Sequence, residues 1–66
     1  MSKLEFIEML RSNYKRALLN KRETAHELNI SPSTIDRLRK SGVISSKKVG
    51  GQIYFTLDEI ANFVYD

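Results

Sequence analysis

Apolar residues recur at helical spacing through the first third of the chain. Leu4, Ile7, Leu10, Tyr14, Ala17 and Leu18 share one stripe. Ser2 and Glu5 stand three apart ahead of it and form a capping box, so the pattern predicts one helix over Ser2–Leu19. Phe6 and Met9 lie off that stripe; they either widen the core face or offer a partner surface. A second capping box, Asn20 with Glu23, opens a short helix whose inward positions are Ala25 and Leu28. Asn29 suits the left-handed corner that ends it, and Ile30 plugs the turn. Ser31 caps a third helix, with Pro32 in the first turn, where its missing N–H costs nothing. Ile35 and Leu38 face inward, and Gly42 stops the helix.

After Gly42 the period falls from 3.6 to 2. Ser46 to Val49 and Gln52 to Phe55 read as two strands around Gly50-Gly51, whose glycines supply the positive φ of a two-residue turn. Ile53 and Phe55 point to the core. Thr56 with Glu59 makes a third capping box, and Leu57, Ile60, Ala61 and Val64 form the inner stripe of the last helix; Phe63 is a candidate to share it. The expected fold is mostly α with a small β-hairpin: a winged helix-turn-helix of three to four helices plus a two-stranded wing. The 66 residues make one small domain. Residues 1–19 form an added N-terminal helix, 20–42 the helix-turn-helix, 43–55 the wing and 56–66 the C-terminal helix.

Lys21 to Gly42 is the segment with the most chemical content. Its second helix is basic and sparingly apolar, the build of a helix that enters the major groove of double-stranded DNA. Facing outward are Ser33, Asp36, Arg37 and Lys40, with Thr34 and Arg39 beside them. Arg37 can fork to guanine or grip a phosphate, and Ser33 and Thr34 can reach base edges or backbone oxygens. The exposed N–H groups at Ser33 and Thr34 favour a phosphate at the helix start. Asp36 is repelled by phosphates. It either accepts from a cytosine amino group or orients Arg37 or Arg39, and orientation is the expected role. In the hairpin, Lys47, Lys48 and Gln52 flank the tip, where basic side chains suit phosphates or the minor groove.

Net charge is +3, but its distribution is uneven. From Arg11 to Lys48 ten Lys or Arg face three acids, whereas outside that window one Lys faces five acids. The positive charge therefore gathers on the helical pair and hairpin. With no cysteine there is no disulfide or thiolate metal site, and one His cannot make a zinc site. No metal or cofactor is expected. His26 stands alone, and Asp58 and Glu59 diverge at a helix start, so an enzyme is not expected. Apolar runs are too short for a membrane span or a secretory segment, which implies a cytoplasmic, nucleoid-associated protein.

The pieces in order are T-A-H-E-L-N-I-S-P-S-T-I-D-R-L, S-G-V-I, K-K-V-G-G-Q-I-Y-F and L-D-E-I. This set resembles the small winged helix-turn-helix proteins of the excisionase and AlpA-like group, related to the DNA-binding heads of MerR-type regulators. The resemblance runs from about Leu19 to Val64, and the shortest members lack a counterpart of Ser2–Leu18. It implies a head whose second helix reads the major groove through Ser33, Thr34, Arg37 and Lys40. Lys47, Lys48 and Gln52 would then touch the neighbouring backbone. MerR-type regulators add a dimerising coiled coil and a sensor region, and the sequence to Asp66 contains neither. The implied role is transcriptional regulation, or architectural assistance to a recombinase, in a prokaryotic or phage setting. The partners would be DNA and a recombinase or the transcription machinery. A homodimer through Phe6 and Met9 stays open, as does a protein-interaction module that docks through the N-terminal helix.

Overall fold

A computed structural model describes all residues from Met1 to Asp66. Seven elements follow in order: α1 (Lys3–Tyr14), β1 (Leu18–Asn20), α2 (Lys21–Leu28), α3 (Pro32–Lys40), β2 (Lys47–Val49), β3 (Gln52–Thr56) and α4 (Leu57–Tyr65). Three of the four helices begin with the reciprocal cap encoded in the sequence. The Glu5 N–H donates to Ser2 Oγ at 3.1 Å while Ser2 N–H donates to Glu5 Oε1 at 2.8 Å. Asn20 with Glu23 (2.8 and 3.0 Å) and Thr56 with Glu59 (3.0 and 2.9 Å) repeat the arrangement. Each cap satisfies otherwise orphaned N–H groups and is worth about 1 kcal/mol.

The first helix is shorter than its apolar spacing predicts. It ends at Tyr14, and Leu18–Asn20 is a strand rather than its last turn. Lys15 adopts the left-handed conformation, φ 55° and ψ 36°, and its N–H donates to Arg11 O at 2.7 Å. This is a single-bond helix stop at a residue that carries a Cβ. The chain then runs extended because β1 pairs antiparallel with β3, Leu18 opposite Thr56, Leu19 opposite Phe55 and Asn20 opposite Tyr54. The sheet therefore has three strands, in the order β1-β3-β2, instead of the expected two.

Leu19 and Phe55 are both fully buried and sit at the centre of the core. Ile7 and Leu10 of α1, Ala25 of α2, Ile35 of α3, Ile44 of the following loop, and Leu57, Ile60 and Ala61 of α4 complete it. Only β2 contributes nothing buried. Two apolar expectations are corrected. Val64 is 44% exposed, and Phe63 packs against the core in its place. Leu4 is 63% exposed, whereas Phe6 and Met9 turn inward and pack on the core. The Phe6 ring meets Tyr65 of α4 edge to face, with centroids 5.6 Å apart. Most of the surface that the homodimer expectation relied on is thus used inside the chain. No helix is long and apolar enough to cross a membrane.

Polar contacts tie the end of α1 to α2. Tyr14 Oη donates to Glu27 Oε1 at 2.6 Å, and Arg16 pairs with Glu23 while its guanidinium lies over the Tyr14 ring. The bond to Glu27, together with burial, pushes the Tyr14 hydroxyl up to about 12. Burial alone would raise Glu23, but the Asn20 N–H and Arg16 outweigh it and hold that carboxyl below its usual range. Thr24 is fully buried, and its Oγ1 has no hydrogen-bond partner.

Lys15→Gly removes the Cβ from a left-handed site and raises stability by about 0.5–1 kcal/mol, read from urea unfolding. Thr24→Val removes an unpaired buried hydroxyl at constant shape and leaves stability unchanged or raises it by up to about 1 kcal/mol. Because Tyr14 is raised above its unfolded value near 10, its stabilisation is complete below about pH 10 and fades as pH climbs through about 12. The stability gap between wild type and Tyr14→Phe therefore closes over that window; a gap independent of alkaline pH would contradict the Tyr14–Glu27 bond.

Candidate nucleic-acid interface

The turn between α2 and α3 is built almost wholly from backbone geometry that its residues favour. Asn29 sits at φ 57° and ψ 42°; its N–H donates to His26 O at 3.2 Å, and the Ile30 N–H reaches Ala25 O at 3.0 Å. This pair of bonds is a Schellman closure with Asn in the left-handed position. Ile30 is partly buried against the core, as a plug should be. Ser31 is extended, at φ −77° and ψ 155°, and its Oγ accepts from the Thr34 N–H at 3.2 Å. The same Oγ lies 2.9 Å from Thr34 Oγ1 and 3.2 Å from Ser33 Oγ, so three hydroxyls cluster at the start of α3. Ser31 and Ser33 are exposed and Thr34 is half-buried.

At the far end of α3 a second Schellman closure forms. Gly42, at φ 83°, donates to Arg39 O at 3.1 Å and Val43 donates to Leu38 O at 3.0 Å. Arg37, Arg39 and Lys40 occupy the last turn, where the helix dipole favours cations. Ile35 is fully buried and Leu38 packs on the core, which fixes the rotation of the helix about its axis. Arg37 is consequently exposed, and it enters no ion pair.

Asp36 is the charged centre of this region. Its Oδ1 accepts from Arg39 Nε at 3.1 Å and Nη2 at 2.6 Å, and lies 3.3 Å from Lys21 Nζ of α2. Its Oδ2 lies 3.3 Å from Lys40 Nζ. Arg39 first, then Lys40 and Lys21, hold the Asp36 carboxyl far below the usual carboxylate range against the opposing effect of burial. Of the two arginines that Asp36 was expected to orient, the structure selects Arg39 and leaves Arg37 alone. The participation of Lys21 was not foreseen, because it depends on how α2 crosses α3. The only sequence signal would have been the basic residue at the first position of α2.

The hairpin forms with Gly50 at φ 58° and Gly51 at φ 81°, the two positive angles that the mirror-image turn requires. Lys47 pairs with Tyr54, Lys48 with Ile53 and Val49 with Gln52 across the strands. Lys48 and Gln52 are exposed, and Lys48 has no acidic partner. Lys47 instead reaches back to Glu59 of α4, with Nζ 3.6 Å from Oε2. Six of the eleven basic side chains are ion-paired, and Arg11, Lys15, Arg22, Arg37 and Lys48 are not.

The sequence pattern of a helix-turn-helix domain family matches residues 18–64, from the first residue of β1 to the last turn of α4. Among curated proteins and among solved structures, none matches the chain significantly. The match takes in the paired helices, the glycine-tipped hairpin and the closing helix just described, and it covers well over half of the chain. The chain belongs to the helix-turn-helix domain family, whose fold implies DNA binding.

Proposed function

We propose that this protein binds double-stranded DNA sequence-specifically, with α3 in the major groove and the β2–β3 hairpin on the neighbouring backbone. The observation that carries this reading is the pair of faces on α3. Ile35 and Leu38 lock one against the core, and the other presents Arg37 free of any acidic partner. Ser31, Ser33 and Thr34 then lie where the helix start meets a phosphate, and Arg37 is the base reader. Lys48 and Gln52 touch the backbone from the hairpin. Lys40 and Lys47 join them by exchanging Asp36 and Glu59 for phosphates. Both pairs are solvent-exposed at the lysine end, so each exchange costs little. Residues 1–66 act as one unit, because α1 supplies Ile7 and Leu10 to the same core as α3 and α4.

The biological role in this reading is transcriptional regulation or excisionase-like shaping of DNA beside a recombinase, by a cytoplasmic protein of prokaryotic or phage type. The chemistry of α3 serves either role. Docking through α1 as a pure protein-interaction module is the weaker reading, since Phe6 and Met9 pack inward.

With about five phosphate contacts, log K should fall against log salt with a slope near −4 to −5. A slope near zero in equilibrium titrations would refute phosphate-driven binding. Arg37→Ala should cost about 1–3 kcal/mol on a selected duplex and relax the preference at one position. Lys48→Ala should weaken selected and random duplexes equally and reduce the slope by about 1. Equal losses on both duplexes for Arg37→Ala would remove its base-reading role.

A further inference from the structure

One carboxylate faces three cations on the outer junction of α2 and α3. Asp36 holds Arg39 through two bonds, and Lys21 and Lys40 each stand 3.3 Å from it. Arg39 is the most committed, with its side chain 23% exposed, against 41% for Lys21 and 69% for Lys40. On the two helices together only Arg22 and Arg37 remain without an acidic partner, and Arg37 is the single such cation on α3. An acid placed there lowers attraction to every phosphate, whatever the base sequence. Any benefit of this acid to DNA binding would then lie in discrimination rather than in affinity.

We propose that Asp36 is a specificity-determining positioning residue, which withholds Arg39, and in part Lys21, from the DNA backbone so that Arg37 dominates base contact from α3. The inference rests on the DNA-reading function proposed above. Its physical basis is counterion release: each additional phosphate neutralised steepens the salt dependence by about 0.9. On a random duplex the protein can settle wherever the freed cations meet phosphates, whereas base contact by Arg37 fixes its register on the selected duplex and the same cations gain little there, so the ratio of specific to random binding falls. Arg37 is not drawn into the cluster, because adjacent residues on a helix point in different directions.

The test is equilibrium binding, across a range of salt, to a duplex selected from a random pool with the wild-type protein and to a random-sequence duplex. Asp36→Asn should tighten the random duplex about tenfold, steepen the slope by about 1–2, and lower the specificity ratio by a similar factor. Asp58→Asn is the charge control. It adds the same net charge by neutralising an exposed acid of α4 that holds no cation, and it should change the slope by less than about 0.3. Arg39→Gln keeps Asp36 and should leave the slope unchanged, because that arginine is already committed. It also keeps the inference testable if Asp36→Asn folds poorly. Two results would overturn the proposal: Asp36→Asn behaving like Asp58→Asn, or Arg39→Gln flattening the slope by about 1. If the wild type itself bound both duplexes without salt dependence, the DNA-reading function would fail first and this inference with it. That result is distinct from a wild type that binds well and an Asp36→Asn that changes nothing.

Discussion

The pairing of β1 with β3 is the constraint on which the arrangement of all four helices depends. Only three residues of β1 take part, yet Leu19 and Phe55 face each other there, both without solvent exposure. Each strand runs directly into a helix cap. Asn20 ends β1 and caps α2, while Thr56 ends β3 and caps α4. The extended backbone that the ladder imposes is also the backbone a capping residue needs. One short antiparallel contact therefore sets where the helical pair begins, where the closing helix begins, and how far the hairpin stands from both. Burial of the two large side chains holds that contact in place, with the α1–α2 polar ties bracing it from outside.

Most of the local design was readable along the chain. The caps of Ser2, Asn20, Ser31 and Thr56, the Asn29 corner and the Gly50-Gly51 turn all depend on residues within five positions of one another, so sequence order alone exposes them. β1 was not readable, because its partner lies more than thirty residues away. The stretch Lys15–Leu19 has no glycine or proline to announce a break, and its apolar residues continue a helical count. One clue was present: Asn20 cannot be the extended cap of α2 if an unbroken helix reaches Leu19. The exchange of Val64 for Phe63 in the core has a similar origin. Spacing favours either, and Phe63 lies on the side of α4 that faces Val43 and Ile44.

The candidate site divides in the same way. That Ile35 and Leu38 would face in and Arg37 out followed from helical period. Which cations are free did not, since ion pairing crosses elements. Lys21 comes to Asp36 from α2, and Lys47 comes to Glu59 from the hairpin. Charge counting by segment describes the long-range field, which draws in a polyanion of any sequence. Pairing within the fold describes something finer, namely how many of those charges are ready to exchange counterions for phosphates.

The hairpin tip adds a different kind of freedom. Nothing lies within 4 Å of where a side chain would grow from Gly50 or Gly51, and no residue of β2 is buried. Torsion alone restricts the tip; crowding does not. Its length and chemistry can be altered without disturbing the interior, so under the proposed function the span of duplex covered would be adjustable independently of resistance to unfolding.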